Sequence, residues 1–524
     1  MDAQHQTDAT ETGNSGTGTV EHWARVKPEA IAIVDDVGNS LTWDSWNRQA
    51  NALATALRDR GLEKGDIVVV STRQRLEWSI INLALGKLGC LLLGTNPKLT
   101  PSEVKFILND SKAAAVICDD QHPAALVSAF EGQSLKARIS LDAEAPGFEM
   151  YASLIDNPAA AAIESEADTQ RVLYTSGTTG LPRGVVRSKR TDPEARTYLA
   201  DVYGGRHINE NDVVLVTMPV HHGAGPGQMS TARKRGCKLV ILPKYDPLEV
   251  LRLIAEHKVT RWTAVPTMFK RLAALPEGTV EKYDCSSLRS LGVGAAPASK
   301  ELKAWITLHF GNILSEGYGS TEIGLITRMP ADLVASKPGS CGVPYKNVKI
   351  EIRNEVGEVL PAGEVGEIWV YTPNSISSYL NEPPLSKDVR DERGFFRTGD
   401  MGHLDADGFL YISDRVKDMI IRGGVNIYPA EVEAALLHHD AVAEAAVIGI
   451  PDDEFGESVM AFCELKPGRS ASADEILAVC AKSLAPHKRP KRLDIVAELP
   501  RSTIGKMLKR ELRAPFWAGR EKQI

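Results

Sequence analysis

The sequence lacks any CxxC pair: its seven cysteines, Cys90, Cys118, Cys237, Cys285, Cys341, Cys463 and Cys480, stand far apart. Neither a zinc site nor a disulfide framework is signalled, and a reducing, cytoplasmic compartment is expected. Missing too is an apolar run of the roughly 20 residues that a membrane span needs. The most apolar segment, 78–94, is interrupted by Lys87 and predicts a buried helix running into a strand. Asp2, Asp8 and Glu11 stand where a secretory signal would need a basic flank and an apolar stretch, and residues 1–19, poor in apolar side chains, predict a disordered tail. No charge of one sign dominates: 61 Lys and Arg against 68 Asp and Glu leave a net −7, which offers no broad cationic face to nucleic acid or anionic lipid. The one dense basic run, His487-Lys488-Arg489-Pro490-Lys491-Arg492, is short and reads as a solvated loop, with phosphate contact as the alternative. There is no internal repeat.

What is present is an ordinary globular balance, 43% apolar and 25% charged. With 524 residues and roughly 100 to 200 to a domain, at least two cores are expected. From about residue 20, short β-branched runs alternate with longer amphipathic stretches: Ile67-Val68-Val69-Val70, then 78–88, then Ala115-Val116-Ile117. That alternation predicts helices layered on largely parallel sheets. Near 353–370, Gly357, Pro361, Gly363 and Gly366 punctuate segments such as Glu367-Ile368-Trp369-Val370, which predicts a small antiparallel sheet or barrel. Asp405-Ala406-Asp407-Gly408 predicts a turn into the strand Phe409-Leu410-Tyr411-Ile412. The charged Asp414-Arg415-Val416-Lys417-Asp418 then marks a boundary between a unit over 20–415 and a second over 416–524. In the second, Pro429 suits a helix's first turn, Glu431 and Glu433 its positive end, and Val432, Ala435 and Leu436 its buried face. Strands over 445–450 and 459–465 and a helix over 474–484 complete a compact α+β domain.

Five stretches carry chemistry. Tyr174-Thr175-Ser176-Gly177-Thr178-Thr179-Gly180-Leu181-Pro182-Arg183-Gly184 follows a strand-like run, and its hydroxyls and amides can wrap phosphate oxygens. It is not the usual P-loop, because Pro182 stands where that spacing needs glycine. Glu316-Gly317-Tyr318-Gly319-Ser320-Thr321-Glu322 joins an aromatic plate to a hydroxyl and a carboxylate. Attack of a carboxylate on phosphorus needs charge compensation that a carboxylate-held magnesium can provide, yet alone the segment is equally a glycine turn opening a helix. Gly292-Val293-Gly294-Ala295-Ala296-Pro297 lets a flat base approach the backbone, or simply lets a strand pack tightly. Phe395-Phe396-Arg397-Thr398-Gly399-Asp400 and Pro500-Arg501-Ser502-Thr503-Ile504-Gly505-Lys506 complete the set.

In this order the motifs resemble those of the acyl-adenylate-forming superfamily of AMP-dependent synthetases and ligases, in particular acyl-CoA synthetases of the fatty-acid:CoA ligase type, over about 20–512. The resemblance implies an α/β fold: a large N-terminal domain of stacked α/β sheets with a small antiparallel β-barrel-like part, and a small mobile α+β C-terminal lid. It implies ATP, Mg2+ and coenzyme A as cofactors and a small carboxylic acid as partner, with no nucleic acid, no transmembrane segment and a homodimer left open. Thr175, Ser176, Gly177, Thr178, Thr179, Gly180 and Arg183 would hold the phosphates, Arg183 standing where the family ordinarily has lysine and offering a planar fork instead of a point charge. Gly294, Ala295, Ala296 and Pro297 would edge the adenine, and Tyr318 would stack on it, flanked by Gly317, Gly319 and Ser320. Thr321 would meet the α-phosphate and Glu322 the metal. Asp400 would accept from both ribose hydroxyls, with Ile412 beside the nucleotide and Arg415 reaching the sugar or its phosphate. Lys506 would bridge carboxylate and α-phosphate during adenylation. Rotation about Lys417 would then withdraw it and bring Gly424 to line a pantetheine tunnel.

Pro219-Val220-His221-His222-Gly223-Ala224-Gly225 resembles the segment gating the acid pocket, with His222 at the gate. Gly223, Ala224, Gly225 and Gly227 predict a roomy apolar pocket suited to a ring system or long chain. The expected activity is a carboxylic acid:CoA ligase working through an acyl-adenylate. Transfer to a carrier-protein thiol and a non-catalytic nucleotide-binding relative are the alternatives; no carrier segment follows Ile524, which favours coenzyme A.

Overall fold

The β-branched runs of the first 320 residues assemble into two seven-stranded sheets in a computed structural model that describes residues 18–97, 99–119, 127–130, 132, 134–157, 160–164, 169–175, 182–187, 192–204, 208–296, 298–415, 418–422, 425–452, 455–502 and 507–518. The first sheet runs Glu149–Met150, Ala137–Ser140, Ala115–Cys118, Ile67–Ser71, Leu91–Gly94, Arg171–Thr175 and Arg183–Val186, all neighbours parallel except the last pair. The second runs Leu314–Glu316, Ser290–Val293, Arg261–Ala264, Val213–Val216, Lys238–Ile241, Ile31–Asp35 and Ser40–Thr42, again parallel except at the last pair. Parallel strands need cover on both faces, and both sheets have it.

Between the sheets lie the helices Trp43–Asp59 and Leu76–Leu88. A Thr42–Ser45 capping box opens the first, and Gly89, at φ 68, closes the second before the strand Leu91–Gly94, as the apolar run 78–94 predicts. Trp46, Leu53, Leu57, Ile81 and Leu85 of these helices share one core with Val68, Leu92 and Ile117 of the first sheet and Ile33, Val216 and Leu239 of the second. Pro101–Ser111 covers the outer face of the first sheet, while Pro247–His257, Pro266–Ala273 and Lys300–Phe310 cover the outer face of the second. Residues Gly18 and Thr19, expected in the tail, are ordered here: the Thr19 side chain accepts from His22 N and caps the helix Val20–Val26. That helix buries Glu21, which pairs with the buried Lys87 ammonium.

The antiparallel part is a four-stranded half-barrel, Lys349–Arg353, Gly366–Tyr371, Phe396–Leu404 and Leu410–Arg415. The turn before its last strand is held by Asp405, whose Oδ1 accepts from Asp407 N and Phe409 N. Its apolar face meets Val185 and Tyr198, so the half-barrel sits against the second strand of the candidate phosphate hairpin.

A separate core lies in the C-terminal part. Strands Val425–Ile427, Ile420–Arg422, Gly456–Leu465 and Val442–Asp452 pair antiparallel, and Arg492–Val496 joins Gly456–Leu465 in parallel. Helix Pro429–Leu436 turns Val432, Ala435 and Leu436 inward, as expected, and Ala473–Ser483 carries a Ser472–Glu475 capping box. The long hairpin extends well past the expected 445–450 and 459–465, because its outer residues pair along the full ladder between Val442 and Asp452. Glu444 joins this part to the second sheet's layer by pairing with Lys270, and pairs with Arg501 of its own part as well. Among the described residues no helix is long and apolar enough to cross a membrane, and all seven cysteines are unpaired.

Candidate active site

The strands flanking the candidate phosphate motif pair as antiparallel neighbours. Thr175 faces Arg183 across antiparallel strands, and the Tyr174 hydroxyl anchors the stem by donating to Asp110 Oδ2 at 2.5 Å. Ser176, Gly177, Thr178, Thr179 and Gly180 lie outside the described residues. Arg183 lies 3.9 Å from the Tyr379 ring centroid and 3.6 Å from Glu382, a cation–π contact in which the flat guanidinium has more to offer the ring than an ammonium would.

Strands Ser290–Val293 and Leu314–Glu316 are parallel neighbours with Val293 opposite Glu316, so the two motifs that follow them emerge side by side. A Cβ on Gly294 would lie 3.7 Å from the Gly317 carbonyl. Ala295 takes φ 67, a left-handed conformation that costs a non-glycine residue roughly 1–2 kcal/mol. Beneath this turn Lys303 and Glu316 form a buried ion pair, and burial draws the Glu316 carboxyl up. Tyr318 donates its hydroxyl to Asp400 Oδ2 at 2.5 Å, joining the aromatic plate to the candidate ribose acceptor across 82 residues. Burial first, and the Asp400 charge second, keep that phenol protonated far above the usual range. Asp400 stands in register with Arg415; the Arg415 side chain lies outside the described atoms. Ile412 packs into the edge of the half-barrel core.

The turn after Tyr318 is pinned along its backbone. Arg187 donates from Nε and Nη2 to the Thr321 carbonyl at 3.1 and 2.8 Å, and from Nη2 to the Ser320 carbonyl at 3.1 Å. Ile376 N donates to the Glu322 carbonyl, Thr372 Oγ1 to the Ile323 carbonyl, and the Tyr198 hydroxyl to the Leu325 carbonyl. With the main chain held, the side chains of Thr321 and Glu322 have no hydrogen-bond partner among the described residues. A magnesium ion is usually held by one or two carboxylates plus substrate phosphates. Glu322 therefore fits that role, and no group of three or more metal-binding side chains occurs among the described residues.

His221 and His222 lie with their rings tilted at 48° and 4.5 Å between centroids. Burial draws His221 down to about 3, with the neighbouring ring assisting, and His222 to about 4. Both are neutral at pH 7, and each leaves its Nε2 buried without a partner among the described residues. The glycines beside them do different work. A Cβ on Gly225 would sit 2.5 Å from the Met218 carbonyl, so this glycine permits close packing of main chain and opens no pocket. A Cβ on Gly223 would press on Leu173 at 3.1 Å, and only Gly227 looks into open space. The small-residue argument for pocket volume therefore rests on Gly227.

The structure thus brings together Gly294, Gly317, Tyr318, Thr321, Glu322 and Asp400. Pro297, Lys417, Gly424 and Lys506 lie outside the described residues. The basic run is committed to the fold: Lys488 pairs with Glu431, Lys491 with Asp452 and Arg492 with Asp494, each at 2.8 Å. Sequence reasoning missed Arg187, Tyr379 and Lys303, which carry no motif of their own.

The model for AMP-binding enzymes matches residues 20–380, and that for the AMP-binding enzyme C-terminal domain matches 431–506. The chain belongs to the AMP-binding enzyme family, within the acyl-CoA ligase type of the acyl-adenylate-forming superfamily. It is 34% identical to a long-chain-fatty-acid–CoA ligase of Bacillus subtilis (strain 168), over 93% of this chain and 91% of the relative. It is 31% identical to 4-coumarate–CoA ligase 5 of Oryza sativa subsp. japonica, over 95% and 94%. Its fold is similar to that of the Bacillus subtilis o-succinylbenzoate CoA synthetase in complex with its acyl-adenylate intermediate, with a TM-score of 0.80 and 30% identity over 97% of this chain and 99% of that one.

Proposed function

We propose that this protein joins a bulky carboxylic acid, fatty or aromatic, to coenzyme A in two steps. The acid oxygen attacks the α-phosphorus of ATP and expels pyrophosphate, giving acyl-AMP; the CoA thiol sulfur then attacks the acyl carbon and expels AMP. The observation that carries this reading is the turn at 320–325, whose carbonyls at 320–323 and 325 are held by hydrogen bonds while the Thr321 hydroxyl and Glu322 carboxylate make none among the described residues. Side chains fixed from behind and open in front are what transition-state stabilisation demands.

In this reading Tyr318 stacks on the base above Gly294 and Ala295, Asp400 takes the ribose hydroxyls, and Thr321 donates to the α-phosphate. The phosphate motif and its Arg183 hold the outer phosphates. Glu322 would hold a magnesium ion, which supplies charge neutralisation at the phosphates. The part from 416 onward acts as a lid turning about Lys417, delivering Lys506 for the first step and Gly424 for the second. The neutral His221–His222 pair supports a pocket for an uncharged, bulky acyl group, since burying a charged partner there would find no compensating ion. The two named relatives act on acids of different kinds, so the choice between alkyl and aryl acids rests on the pocket.

Acid-dependent pyrophosphate release, scored with and without coenzyme A over fatty and aromatic acids, tests the proposal. Glu322→Gln should lower the release about 100-fold. Release that ignores the added acid, or survives that substitution intact, would sink the reading.

A further inference from the structure

The groups flanking the Thr321–Glu322 turn include one cation that the reaction scheme does not use. Arg187 lies just beyond the second strand of the phosphate hairpin, Arg183–Val186, and reaches across to the turn, making three hydrogen bonds to two consecutive carbonyls there. Three features set it apart from a structural arginine. Half-buried, it forms no ion pair with a carboxylate among the described residues, although desolvated charges are ordinarily matched by one. Burial depresses its proton affinity, against the opposing influence of the Tyr198 and Tyr203 hydroxyls and of Glu322, the carboxylate whose charge it feels. The planar fork spans the Ser320 and Thr321 carbonyls, a geometry that a single ammonium cannot reproduce.

We propose that Arg187 is a positioning residue for adenylation: its grip on the Ser320 and Thr321 carbonyls aims the Thr321 hydroxyl and Glu322 carboxylate at the phosphates held by the neighbouring hairpin. One residue thereby couples two motifs that meet only in the folded chain. The inference rests on the adenylation reading given above. The first half-reaction, which uses Glu322, depends on this aim, and thioester formation from preformed acyl-AMP does not.

The test compares wild type, Arg187→Lys and Arg187→Met, using whichever fatty or aromatic acid the wild type turns over fastest. In Arg187→Lys, kcat for pyrophosphate release should fall about 10-fold to 100-fold, the cost of a small misplacement of catalytic groups. KM for the acid and the rate of thioester formation from supplied acyl-AMP should stay within about twofold. Wild-type pyrophosphate release in Arg187→Lys overturns the inference, as does an equal loss in both half-reactions or a lower thermal midpoint with unchanged kcat. If Arg187→Met does not fold, Arg187→Lys, which keeps the charge, carries the test alone. If the wild type releases no pyrophosphate with any acid, it is the adenylation reading that fails. The grip is then judged from ATP affinity by calorimetry, where Arg187→Lys must weaken binding or the inference falls.

Discussion

His221 and His222 are held neutral by burial, at about 3 and about 4 against an ordinary 6.5. The unfolded chain protonates both below 6.5, while the folded chain resists until far lower. Their contribution to stability is therefore whole above 6.5 and is lost as pH falls from there toward about 3. The loss should approach about 1.4 kcal/mol per pH unit for each ring. Thermal midpoints between pH 6.5 and 4.5 check this: His221→Asn with His222→Asn should flatten the dependence, and a variant as steep as wild type would assign the slope to other groups. At this scale the sequence was legible where chemistry comes in strings. Tyr318, Thr321 and Glu322 stand inside a readable motif, but Arg187 is a lone cation after a strand, and only the fold shows that it meets carbonyls 133 and 134 residues away. Gly225 illustrates the opposite failure: a glycine's absent side chain means pocket space or tight packing, and sequence does not say which.

The helix Val20–Val26 adds one turn of apolar surface to the core and one buried acid. Glu21 and Lys87, with side chains 2% and 0% exposed, pair across it, and the ammonium also donates to the Ile163 carbonyl. Glu21→Leu alone should cost about 3–5 kcal/mol by stranding the Lys87 charge, whereas adding Lys87→Met should restore most of it. Denaturant midpoints of the single and double variants decide the matter; a double variant as weak as the single would show that packing, not charge, matters there. Elements of this kind were legible when their burial was one-sided or complete, as in Ile67–Ser71, Leu76–Leu88 and Pro429–Leu436. Sheet membership was not, because a β-branched run records how deeply it is buried and keeps silent about its neighbour. Nothing local in Ile31–Asp35 announces that it pairs with Lys238–Ile241.

Across the whole molecule, Glu444 receives Lys270 from the helix Pro266–Ala273 and Arg501 from the segment leading to Lys506. One carboxylate thus ties the C-terminal part to the main body. Glu444→Gln should loosen that tie, and tryptic cleavage after Arg422 should quicken about tenfold, equivalent to ~1.4 kcal/mol. Unchanged cleavage would mean that other contacts fix the arrangement.

The second sheet also has a history in time. Its strand Ile31–Asp35 leaves the ribosome about 200 residues ahead of its partner on one side, Lys238–Ile241. At about 5–20 residues per second, that edge waits on the order of ten seconds or more, paired on the other side by the short strand Ser40–Thr42 alone. An unfinished edge of Ile, Ala, Ile and Val is sticky. Nascent chains of this protein are therefore exposed to clumping during the interval before Lys238–Ile241 is made.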